Sequence, residues 1–234
     1  MTSFVPLDSV KHANQRFVAS HPCPAADKQH LIPLGVGECV IASADFPIVF
    51  VKDHNTGQMR LTALVGLKPG ESVFYSDEGW SATYVPLSIR PSVIALSPSP
   101  SDEEKFVVAL DIESPFLGTT DGHALFSPEG EKTEYLQYQI DLAQDRHAQS
   151  SITETFIADL IESDLLRANT LTIQPKDGST HELSGFYVID EKVMDDLPNE
   201  VFQSFRAKGY LANIYAIRAS MYRLDNLLRK QQGD

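Results

Sequence analysis

Residues 46–91 read FPIVFVKDHNTGQMRLTALVGLKPGESVFYSDEGWSATYVPLSIRP, an ordered train of short strands separated by turn residues. Pro47 to Val51 and Met59 to Leu67 flank DHNTG, whose Asp, Asn and Gly supply the backbone conformations of a hairpin turn. Glu71 to Tyr75 reads as a further short strand, closed by SDEGW. Working toward the N-terminus, His30 to Ala42 is a strand region interrupted at Gly35 and Gly37, and residues 1–30 form an irregular entry in which Pro6, Pro22 and Pro24 oppose regular structure. On the other side, SPSPSDEE (97–104) has the composition of a solvated loop, and Lys105 to Asp111 that of a buried strand.

The texture changes near residue 131. Leu136, Ile140 and Ala143 recur at helical spacing within Glu134 to His147, and Ser150 or Ser151 is placed to cap a second helix carrying Phe156, Ile157 and Leu160. LTIQPKDGSTHELSGFYVI predicts two strands around a turn at Lys176 to Ser179. Pro198 opens a helix that Gly209 ends. The tail reads as a strand or helix over Tyr210 to Ile217, then an amphipathic helix over Met221 to Arg229. The fold class is α+β: short antiparallel strands in a β-rich N-terminal half, and a mostly helical C-terminal half packed on it. The expected organisation is an arm over 1–27 and one domain over 28–234, β-rich to about 130.

A chain of 234 residues with 42% apolar and 22% charged residues buries a core without staples. Its net charge of −13, from 32 acidic and 19 basic residues, argues against nucleic acid and against an anionic membrane surface as partners. Arg229-Lys230 is the longest basic cluster. Cys23 and Cys39 make no disulfide framework. The N-terminus lacks the pattern of a secretory signal and no apolar stretch has the length of a membrane span, so the expected location is cytoplasmic, with signal-independent export left open.

The seven histidines form neither HxH nor HExxH, and the nearest approach to a metal cluster, His21, Cys23 and His30, reads as polar residues of an irregular segment; no metal site or cofactor is assigned. There is no GxSxG, P-loop or GxGxxG motif. Glu38 and Asp111, at the ends of predicted strands, are the carboxylates best placed for a polar site with His30, and each also suits an ordinary strand-end role. Trp80, Tyr84 and Arg90 combine apolar area with polar handles and are the types that dominate binding hot spots, so they are the candidate ligand or partner contacts. The alternative for the same residues is a core tryptophan and a locally paired arginine.

FPIVF (46–50), LTALVGL (61–67), and Gly79-Trp80 followed by Tyr84, Pro86, Ile89 and Arg90 occur in an order that resembles the SapC family of bacterial proteins, which is distinct from the peptide-transport permease of similar name. ALFSPEGE (124–131), LSGFYVIDEKVMDDLPNEVF (183–202) and GYLANIYAIRASMYRLDNL (209–227) resemble its later blocks. Pro91-Ser92-Val93 and Arg218 depart from the family pattern, which often has an aromatic with Pro-Phe and a histidine there. The missing catalytic and cofactor motifs and the Trp80–Tyr84–Arg90 segment point to a non-catalytic binding or accessory protein, recognising a peptide, a small ligand or a partner enzyme, and the resemblance implies a place in a modification or uptake pathway beside a halogenase or cupin-like oxygenase. An enzyme or metal-binding protein using His30, Glu38 or Asp111, and a surface-layer component, are the alternatives.

Overall fold

Two short, largely apolar runs, 48–50 and 61–64, buried throughout, form the hairpin at the heart of the larger sheet. Ile48–Lys52 and Met59–Leu64 pair antiparallel from Ile48↔Ala63 to Lys52↔Met59. The structure, a computed structural model, describes residues 3–18, 23–53, 56–99, 102–173 and 181–231. It has antiparallel sheets mostly in the N-terminal half and helices mostly in the C-terminal half, an α+β fold.

The chain divides into two units, one of Met1–Pro24 with Arg90–Ala148 and one of Ala25–Ile89 with Gln149–Asp234. In the first, Asp102–Asp111 lies between Phe4–Pro6 and Ile94–Ser99. Arg16–Phe17 lies between Leu117–Gly118 and His123–Ala124. Phe17, Ile94, Leu110, Leu125, Leu136 and Ile140 are among the buried residues of its core. The stretch expected to be irregular thus contributes two strands and a core phenylalanine. The described residues of the expected loop at 97–104 are instead strand, 97–99 ending one strand and 102–104 beginning the next, with Pro98 opposite Phe106. Ile94–Ser99 is an edge strand, where a proline removes no ladder hydrogen bond.

In the second unit the sheet order is Leu166–Ile173, His181–Ile189, Ile48–Lys52, Met59–Leu64, Leu31–Pro33, with every neighbouring pair antiparallel. The predicted turn at Lys176 to Ser179 lies outside the described residues. The tail resolves as helix, Tyr210–Ser220 followed by Leu224–Gln231. Gly209, at φ 73°, separates Tyr210–Ser220 from the preceding helix Asn199–Ala207. The helix Tyr210–Ser220 packs on Ile48–Lys52, and Ser220 Oγ accepts from Ile48 N at 2.8 Å.

Two expectations are corrected. Residues 36–42 are not strand: Val36–Glu38 forms a 3₁₀ turn and Cys39–Ala42 a short helix. The amides that a sheet neighbour would take are taken by side chains, Val36 N by Thr153 Oγ1 and Gly37 N by Gln149 Oε1, both at 2.9 Å. A Cβ at Gly35 or Gly37 would lie 2.8 or 2.7 Å from the Gln149 side chain, so glycine permits this approach. The second correction is that one helix runs unbroken over Glu134–Glu162. Ser150, read as a cap with Ser151, instead donates from Oγ to Glu154 Oε1 at 3.5 Å within the helix, and no proline or glycine intervenes. The helix stops at Asp164, whose φ of 53° lets Leu165 N reach back to Leu160 O at 3.0 Å.

Thr153→Val keeps the side-chain volume but strands the Val36 amide. It is expected to cost about 1–3 kcal/mol in urea unfolding, against a few tenths for Thr155→Val on the exposed face.

Candidate functional site

The turn that replaces the predicted strand brings Glu38 inward. Its carboxylate is 5% exposed and accepts three hydrogen bonds: Gly35 N on Oε2 at 2.6 Å, Tyr84 Oη and Leu87 N on Oε1, both at 2.8 Å. A buried carboxylate is costly unless donors surround it, and here both oxygens are occupied. Glu38 therefore fastens the 84–87 segment to the turn at 35–38.

Tyr84 is held at two further atoms. Its amide donates to Asp45 Oδ2 at 2.7 Å, and its carbonyl accepts from Trp80 Nε1 at 2.8 Å. The Trp80 ring packs at 5.8 Å from Phe46 and 5.9 Å from Phe74, which are themselves edge-on at 4.9 Å. The strand expected at Glu71 to Tyr75 shrinks to a two-residue ladder, Tyr75–Ser76 with Gly79–Trp80, turned by Gly79 at φ 101°. Ser81 N donates to Phe74 O at 2.8 Å. The loop Ser81–Thr83 is thus pinned at both ends.

Beside this loop runs an open groove of about 290 Å³ lined by Asp45, Phe74, Ser81, Thr83, Arg229 and Lys230, among others. Lys230 Nζ stands 5.2 Å above the Phe74 ring. A larger cleft of about 530 Å³, lined by Asp159, Glu162, Asp164, Glu200 and Lys208, lies elsewhere in the unit. Its central acid is already engaged, with Lys208 Nζ donating to Asp159 Oδ2 at 2.8 Å. The smaller groove is the one that adjoins the Trp80–Tyr84 constellation.

The structure joins Glu38, Trp80 and Tyr84 into one network. His30 belongs to the same unit, its carbonyl accepting from Val65 N at 2.9 Å and its half-buried imidazole held below its ordinary pKa by desolvation. Arg90 and Asp111 belong to the first unit. The Arg90 carbonyl accepts from Arg146 Nη2, and Asp111 Oδ1 accepts from Ser3 N and Glu113 N, both at 3.2 Å, tying a strand end to its neighbours. Cys23 and Cys39 are buried free thiols. Burial raises the pKa of both, aided at Cys39 by the Glu38 charge and opposed at Cys23 by Arg90, which disfavours reactive thiolates. Among the described residues no three His, Cys, Asp or Glu side chains gather into a metal-holding group. The set His21, Cys23, His30 rests on His21, which lies outside the described residues. Sequence reasoning missed Asp45, Phe74, Arg229 and Lys230; the only signal was that Arg229-Lys230 is the chain's longest basic cluster.

The SapC family model matches residues 7–227. No curated protein matches the chain, and no solved structure does. No helix among the described residues is long and apolar enough to cross a membrane.

Glu38→Gln puts an NH₂ where donors converge and is expected to destabilise by about 1–3 kcal/mol. Tyr84→Phe is expected to cost about 1 kcal/mol. In a double-mutant cycle by urea unfolding the two should be non-additive, since they share one hydrogen bond. His30 supplies a pH dependence. Its folded pKa is depressed below the ordinary 6.5, so the unfolded chain binds its proton first and stability falls as pH drops below about that value. Comparing His30→Gln with the parent at roughly pH 5.5 and 7.5 should show a smaller loss of the urea midpoint in the variant.

Proposed function

The chain belongs to the SapC family, and from that premise we propose that it is a non-catalytic binding or accessory protein which recognises its partner with the face built around Trp80 and Tyr84. The observation that carries this reading is the pinning of the Ser81–Thr83 loop by Trp80 Nε1 to Tyr84 O, Tyr84 N to Asp45 Oδ2 and Ser81 N to Phe74 O. A loop already held in one conformation gives up little entropy on binding, which is what recognition surfaces need. The engagement of both Glu38 oxygens favours this over acid–base chemistry at Glu38, because a general acid or base must have an oxygen facing substrate. The partner classes that the resemblance implies, a halogenase or cupin-like oxygenase, are the first occupants to test.

The test is site-specific photo-crosslinking in cells, with a benzophenone amino acid at exposed Thr83 and, as control, at exposed Thr170 on the sheet-edge strand. A discrete protein adduct at 83 that is absent at 170 is the expected result. No adduct at 83, or the same adducts at both positions, overturns the reading.

A further inference from the structure

The protein carries a net charge of −13, yet the groove beside the pinned loop is walled by two adjacent cations. Arg229 and Lys230 are exposed in the last turn of Leu224–Gln231. Elsewhere in the same unit Arg60, Arg167, Lys208 and Arg218 each stand 2.8–3.3 Å from a carboxylate. Among the described residues neither Arg229 nor Lys230 has a carboxylate partner. A place at the negative end of a helix accounts for cations in that turn, but it leaves the guanidinium fork and the ammonium turned to solvent with their donors available. The helix itself is anchored: Leu227 is fully buried, and Gln231 accepts from Leu67 N at 3.4 Å and donates to Glu71 Oε2 at 3.3 Å.

The opposite wall supplies the rest of a recognition site. Ser81 and Thr83 line it with hydroxyls, Phe74 gives an aromatic surface under Lys230, and the acid present, Asp45, already accepts from Tyr84 N at 2.7 Å. The groove is open rather than closed around a small molecule, so it admits a polypeptide segment. We infer that it docks an acidic peptide segment of the partner, whose Asp or Glu carboxylates pair with Arg229 and Lys230. The inference rests on the binding reading above and names the chemistry of what that surface recognises.

Trp80, the only tryptophan, packs tilted at 5.9 Å from Phe74, which lines the groove, and reports occupancy through its fluorescence. The full chain is titrated with hexaglutamate, hexaglutamine, glutarate and inorganic phosphate at low salt. Hexaglutamate should give a saturable change, with hexaglutamine inert, and R229A/K230A should weaken it about tenfold or more. Raising the salt should weaken it further. Circular dichroism confirms that the variant is folded, and R229Q/K230Q, which keeps polar side chains with part of the aliphatic stem, replaces it if it is not. An absent response, one indifferent to the double substitution, or an equal response to glutarate or phosphate overturns the inference. If hexaglutamate fails while the crosslink at Thr83 persists in R229A/K230A, the acidic-peptide assignment falls and the binding reading stands; loss of the crosslink in the parent protein removes both.

Discussion

A buried carboxylate holds the second unit's loop architecture in place. Removing the Glu38 charge from water is expensive, and the cost is met only where donors arrive from several directions at once. Gly35 N comes from the turn that Glu38 itself closes, while Tyr84 Oη and Leu87 N come from a segment far along the chain. Each donor fixes a piece of backbone. The turn at 35–38 sets where Leu31–Pro33 leaves the sheet, and the 84–87 segment sets where Trp80 meets Phe46 and Phe74.

The same logic governs the neighbouring helix. Gly35 and Gly37 present bare backbone to Gln149, and Thr153 and Gln149 return acceptors to the Val36 and Gly37 amides. A polar seam of this kind needs every member, because an amide buried without a partner costs more than a made hydrogen bond returns. The first unit is held differently, by an apolar cluster of Phe17, Leu110, Leu125 and Leu136, with Asp111 bonding the ends of its strands. The second unit also buries an apolar core, with Phe46, Ile48, Phe50 and Phe156 fully enclosed, and adds the satisfied charge to it.

Uneven charge gives the surface its character. Acidic balance keeps the chain from polyanions in general, while a local cationic wall over an aromatic floor offers one place where a negative segment is attracted. Long-range repulsion and short-range attraction together are the means of selectivity that the proposed acidic segment would meet at that groove.

The hairpin Ile48–Lys52/Met59–Leu64, the helix opened after Pro198 and the α+β class were legible in the sequence, because short apolar runs, turn residues and helix-end residues act between near neighbours and need nothing distant to take effect. Residue chemistry also singled out Glu38, Trp80 and Tyr84, though not that they share one network. The 36–42 strand and the break near Ser150 were misread because their outcome depends on who supplies the hydrogen bonds: Gln149 and Thr153 for the turn, and Glu154 for the Ser150 hydroxyl within the helix. Asp45, Phe74, Arg229 and Lys230 lie far apart along the chain and meet only once the terminal helix has docked. Spacing records contacts a few residues long; the convergence of distant side chains on one groove belongs to the tertiary structure, which alone decides which charges are matched at home and which are left facing outward.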